Sequence, residues 1–175
     1  MAPILVIVMR LAVPFSILKW PFWGAIFSIL ADAADIILLD RLGWGFFEGK
    51  DYHAIDKFFD IYYLAFVAYV SLRWQDVLAR RASIVLFSWR LAGFIIFEIT
   101  KIRQIFFFAP NIFENFYLLV AGLRQFRPSF KVNSLWKLAL IIFVAAIPKI
   151  IQEYIMHFLE FPTWQFIKFN IFGWR

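Results

Sequence analysis

Asp32 and Asp35 stand late in one apolar run of this chain, and Asp56 and Asp60 open the next. On helices, separations of three and four residues put each pair on a single face. If the two runs fold back as an antiparallel hairpin, four carboxylates converge at one depth. Carboxylates are costly to place in hydrocarbon, so intramembrane acids face a protein interior or a wet cavity. Four together repel one another unless cations lie between them. Crowded hard oxygen donors of this kind are ligands for Mg2+ or Mn2+. Two such ions can neutralise a pyrophosphate and polarise the attacked phosphorus, while a nearby carboxylate takes the proton of an incoming alcohol. The plainer reading pairs the same aspartates with Arg10, Arg41 or Lys57, or leaves them at helix ends among lipid headgroups.

The elements that must position these acids follow from composition. With 63% hydrophobic and 22% aromatic residues and a mean hydropathy of +0.76, the chain lies outside the range of soluble domains. The expectation is an all-α, polytopic integral membrane protein, residing in a prokaryotic plasma membrane. Its 175 residues leave room for about six helices of roughly 20 residues in one compact bundle. The spans are read as Pro3 to Leu18, Pro21 to Leu39, Ala54 to Leu72, Ser83 to Thr100, Ile105 to Leu123 and Leu135 to Phe158. No ten-residue alternation speaks for a barrel. The absence of Cys excludes thiolate metal sites and thiol nucleophiles,. The first run lacks a small-residue cleavage site and reads as a retained helix. A net charge of +6 suits anionic lipid headgroups.

Residues 1–161 are expected to form the six-helix domain, and 162–175, rich in Trp, Phe and Lys, an interfacial tail. Lys19-Trp20-Pro21 reads as a tight turn, because proline disfavours helix at the residue before it. Pro110 should kink or break the fifth span. The loop from Asp40 to His53 lies beside the aspartates. Lys and Arg divide evenly between the two faces, so orientation is undecided by basic residues. The acids do segregate: Asp32, Asp35, Asp40, Glu48, Asp51, Asp56, Asp60, Glu98 and Glu160 fall toward one face, with Asp76 clearly on the other.

The order Arg10, then Asp-x-x-Asp, then Asp-x-x-x-Asp resembles the CDP-alcohol phosphotransferase superfamily, whose pattern is Asp-x-x-Asp-Gly-x-x-Ala-Arg followed by Gly-x-x-x-Asp-x-x-x-Asp. The likeness covers about the first 75 residues, with Arg90 a weaker extension. It implies six helices and a pair of divalent metals. Asp32, Asp35 and Asp56 would be ligands, Asp60 a ligand or the catalytic base, and Arg10 a substrate-binding residue. Ile36 and Tyr52 stand where the family has glycine, Leu39-Asp40 stands for its Ala-Arg, and the gap between the pairs is three residues longer. Those glycines let a nucleotide approach the backbone, so the departures imply weak or absent CDP binding. The implied activity is transfer to or from a lipid-linked or phospho-alcohol substrate at a tetra-aspartate site. Membrane lipid and that substrate are the expected partners, a homodimer is an allowed assembly, and no nucleic acid is expected.

Lys101 and Arg103 are candidates to grip a phosphate, against a reading as snorkelling cations. Arg90 and Glu98 share a helical face and are expected as a salt bridge or a substrate contact. Glu153 and His157, spaced by four, permit metal ligation but more often form an interior hydrogen-bonded pair. Two rivals remain: a cation channel or transporter using the same acids, extended inward by Glu98, Glu114, Glu153 and His157, and an inactive relative acting as a partner subunit.

Overall fold

The computed structural model describes residues 2–47, 52–171 and 173, and every element among them is helical. α1 (Ala2–Ala12) tightens into a 3-10 turn at Val13–Phe15 before α2 (Ser16–Lys19). Pro14 is the cause: it has no N–H to donate, and its ring crowds the carbonyl four residues back. Trp20 leaves the helical region ahead of Pro21, as the residue before a proline should. Pro21 then opens α3 (Pro21–Leu42). A side chain at Gly24 would overlap the backbone of Ser16 and Ile17, so glycine is what lets α3 fold back so closely on α2.

α3 ends at Gly43, whose φ of 95° few other residues adopt. α4 (Tyr52–Leu72) and α5 (Val77–Thr100) follow. The fifth span is broken at Ala109–Asn111, around Pro110 as expected, into two helices, α6 (Ile105–Phe108) and α7 (Ile112–Phe126). α8 (Leu135–Glu153) continues through Pro148 into a π-helical turn at Tyr154–Phe158. α9 (Thr163–Phe166) and a second π turn at Ile167–Ile171 form the tail, which Lys168 ties to Asp40 of α3 at 2.8 Å.

Among the described residues, four segments are long and apolar enough to cross a membrane: Ala2–Lys19, Pro21–Leu42, Val77–Thr100 and Leu135–Met156. The expected six spans are not confirmed on that measure. α4 has the length but carries Asp56, Lys57 and Asp60. α7, at 15 residues, falls short of a ~30 Å hydrocarbon core at about 1.5 Å per residue. At most a third of the apolar window of each of the four is buried, and Ile4, Val8, Leu30, Val85, Ile99 and Phe143 face outward. So much exposed apolar surface is foreign to a soluble monomer.

The core lies between α4 and α7, where Leu64, Val67, Phe113, Phe116, Tyr117 and Val120 are fully buried. At the end near the α4–α5 turn, Trp74 stacks on Tyr117 with centroids 5.4 Å apart, and the Tyr117 hydroxyl donates to the Pro21 carbonyl at 3.2 Å. Asp76 pins this end, accepting from Arg124 at 2.8 Å and from the Val132 amide at 3.1 Å. Burial pushes the Asp76 carboxyl up, but those two donors and their charge more than offset it and hold it below the usual carboxylate range,.

Candidate functional site

At the opposite end, α1, α3 and α4 bring Arg10 and the four aspartates together. α3 and α4 run antiparallel, so Asp32 and Asp35 meet Asp56 and Asp60 across the helix pair. The Arg10 guanidinium, only 5% exposed, lies among all four: it touches Asp32, stands 3.4 Å from Asp35 and 3.6 Å from Asp56, and donates to Asp60 at 3.2 Å. Its face lies over the Phe59 ring, 5.6 Å from the centroid. Lys57 bridges Asp56 and Asp60, its Nζ 3.1 Å from each. Asp35 is buried, whereas the Asp32 side chain is 47% exposed and faces the way in.

Deeper in the bundle a second charged group surrounds the α6–α7 break. Pro110 cannot donate, and a helix interruption leaves backbone groups that need partners. Arg90 on α5 donates to the Ala109 carbonyl at 3.0 Å, and the Asn111 amide donates to Glu153 on α8 at 3.3 Å. Arg90 and Glu153 also pair with each other at 3.4 Å. Asn111 caps α7, its side-chain oxygen accepting from the Glu114 amide. Lys149 reaches Glu114 at 3.0 Å. Gly93 makes this possible, because any Cβ there would overlap that of Ala109 and hold α5 away from the break.

One cavity of about 160 Å³ joins the two groups, with Arg10, Asp32, Asp56, Lys57 and Asp60 at one end and Tyr63, Arg90, Asn111, Glu114, Lys149 and Glu153 at the other. Counting Asp35 against Arg10, six carboxylates face four cationic side chains among the described residues, a formal excess of two negative charges. That excess lies wholly at the aspartate end, since Arg90–Glu153 and Lys149–Glu114 cancel.

Asp32, Asp35 and Asp56 each offer an oxygen within 4.8 Å of the others. An all-carboxylate set of this kind fits a hard divalent cation such as Mg2+ or Mn2+ in preference to softer metals. Asp60, expected as a ligand or the general base, falls outside that trio, and its carboxylate is held by Arg10 and Lys57. The structure does not bring Lys101 and Arg103 to the cavity: Lys101 pairs with Glu98, and Arg103 lies 4.0 Å from Glu160, both at an exposed edge. The expected Arg90–Glu98 bridge is replaced by Arg90–Glu153, because Arg90 points inward to the break while Glu98 turns out to Lys101. The expected pairing of Glu153 with His157 falls on a side chain that, like Glu48 and Asp51, lies outside the described residues.

Sequence reasoning missed Tyr63, Asn111 and Lys149. Tyr63 had a signal, standing three residues after Asp60 on the same helical face. Lys149 had one too, as a lone cation beside a proline in a long apolar run. In comparisons with family models, curated proteins and solved structures, nothing matches the chain.

Proposed function

We propose that this chain is a metal-dependent membrane phosphotransferase acting on a lipid-linked or phospho-alcohol substrate, in the manner of the CDP-alcohol phosphotransferases it resembles. The observation that carries the reading is the convergence of four aspartates from α3 and α4, three of them with oxygens within 4.8 Å of one another, at the mouth of a cavity where six carboxylates meet four cationic side chains among the described residues. Asp32, Asp35 and Asp56 would hold a divalent cation, which when bound supplies positive charge to a phosphoryl group and its leaving oxygen. Arg10 orients the carboxylates and offers donors to a phosphate oxygen. Asp60, held by Arg10 and Lys57, is the base that takes the proton of the attacking hydroxyl. In this reading α4 and the α6–α7 pair complete a six-span bundle whose charged faces turn inward, and the lipid tail stays in the bilayer while the headgroup reacts.

A cavity of about 160 Å³ is well below the ~300–1,000 Å³ of ordinary small-molecule sites, which supports a small headgroup over a cytidine nucleotide. The same acids could serve a cation conduit, and the inward extension to Glu114 and Glu153 favours it. Arg90 and Lys149 neutralise that extension, so the transferase reading is preferred. The test is direct. Mg2+ or Mn2+ should raise the melting temperature of the detergent-purified protein, and the Asp56→Asn, Asp60→Asn double variant should lose that shift. Equal shifts in the two proteins would remove the metal site. Turnover of a lipid or phospho-alcohol substrate should vanish in Asp60→Ala.

A further inference from the structure

Tyr63 is 9% exposed, lines the cavity, and its hydroxyl meets no hydrogen-bond partner among the described residues. Buried tyrosines almost always find a partner for that group, and leaving it without one costs stability. A hydroxyl kept in this state on a residue that lines a polar cavity is reserved for something that enters. Its surroundings say what. Tyr63 stands one turn of α4 beyond Asp60, about 4.5 Å further along the axis at 1.5 Å per residue. Around it Arg90 pairs with Glu153 and Lys149 with Glu114, so among the described residues this half of the cavity carries no formal net charge. A second phosphate or an ammonium would meet both signs at once and gain little from either. A hydroxyl needs only donors and acceptors.

We propose that the inner half of the cavity seats the neutral, hydroxyl-bearing end of the substrate and that Tyr63 is the hydrogen-bond donor that holds it; this rests on reading the cavity as a reaction site. The charged end of the same molecule then lies outward, where the excess negative charge and its cation are. Tyr63 is a positioning residue: it places the hydroxyl within a turn of Asp60 and takes no proton itself.

The experiment compares two probes, sn-glycerol 3-phosphate and inorganic phosphate, titrated calorimetrically into the full-length detergent-purified protein with Mg2+ present. Both probes offer a phosphate to the aspartate end, and only the first offers hydroxyls to Tyr63. The wild type should bind glycerol 3-phosphate more tightly than phosphate. Tyr63→Phe, which keeps the ring, should cut that preference by about 3- to 10-fold, the scale of one neutral hydrogen bond. Phosphate binding should stay unchanged, and the melting temperature should hold or rise because an unsatisfied hydroxyl has been removed. Equal losses for both probes, no preference in the wild type, or a lowered melting temperature in Tyr63→Phe would each overturn the assignment. Turnover does not enter the titration, so the reaction reading and the Tyr63 assignment fail separately.

Discussion

Arg10 is the residue on which the aspartate end depends. Its guanidinium is almost wholly removed from solvent and is shared by four carboxylates, so it is the cation that lets them coexist. Deleting one partner of a buried ion pair costs about 3–5 kcal/mol, because the opposite charge is left uncompensated. Arg10→Met should therefore lower the melting temperature by about 10 °C in EDTA, at roughly 2–4 °C per kcal/mol for a chain of this size. Mg2+ should restore more of the loss in the variant than it adds to the wild type, since only the variant leaves Lys57 as the sole cationic side chain bonded to the aspartates among the described residues. A variant melting like the wild type in EDTA would show that the carboxylates do not need Arg10. At this scale the sequence was informative about residue types and left the choice of partners open. The spacings of Asp32, Asp35, Asp56 and Asp60 announced a converging acid cluster, and pairing with Arg10 and Lys57 was already a named alternative. Nothing in the spacing tells whether a side chain holds the carboxylates in place of a metal or beside one.

Among the elements, the broken helix pair α6–α7 decides the shape of the cavity. Pro110 made the interruption legible, as it made Trp20-Pro21 legible as a turn, because proline acts on its immediate neighbours. What satisfies the break was not legible. Arg90 lies 19 residues from the carbonyl it serves and Glu153 lies 42 from the amide it accepts, separations that no local pattern encodes. The same limit explains the span count. Hydropathy picked out six apolar runs, but length and charge leave four by that measure, and whether α4 hides its charges depends on neighbours the sequence does not specify. The close approach of α5 to the break gives a test. Gly93→Ala inserts a methyl where Ala109 already stands, and overpacking of this kind costs about 1–3 kcal/mol. The melting temperature should drop by about 3–10 °C, with metal-dependent turnover falling as Arg90 loses Ala109. Adding Ala109→Gly to the same chain should recover most of both. An unchanged Gly93→Ala protein would mean that the helices yield freely there and that the break is not held by packing.

Across the whole molecule, charge and packing are arranged end to end. One end holds the carboxylates and their excess negative charge, while the other carries Lys19, Arg73, Arg80, Arg81, Arg124 and Arg127, with Asp76 committed to Arg124. Between them the cavity stops at Tyr63 and Leu64. Beyond lie Val67, Phe113, Phe116 and Tyr117, all fully buried, and Trp74 stacked on Tyr117. A cation leaving the acidic mouth would have to cross about two turns of close-packed aromatic and aliphatic side chains without oxygen ligands. It would then emerge into a field of like charge. A second cavity of about 370 Å³ opens at that far end beside Val70, Trp74 and Arg124, but the packed side chains between the two suit a reaction that returns its product the way the substrate came, whereas a conduit needs a continuous path. The purified protein in liposomes should therefore pass no Mg2+, Mn2+ or protons under an imposed gradient, measured with a trapped metal or pH indicator. Widening the barrier should not convert it, because Val67→Ala removes bulk without supplying ligands. Robust flux in the wild type, abolished by Asp32→Asn or Asp35→Asn, would overturn the transferase reading in favour of transport and would mean that the aromatic floor opens as part of the cycle.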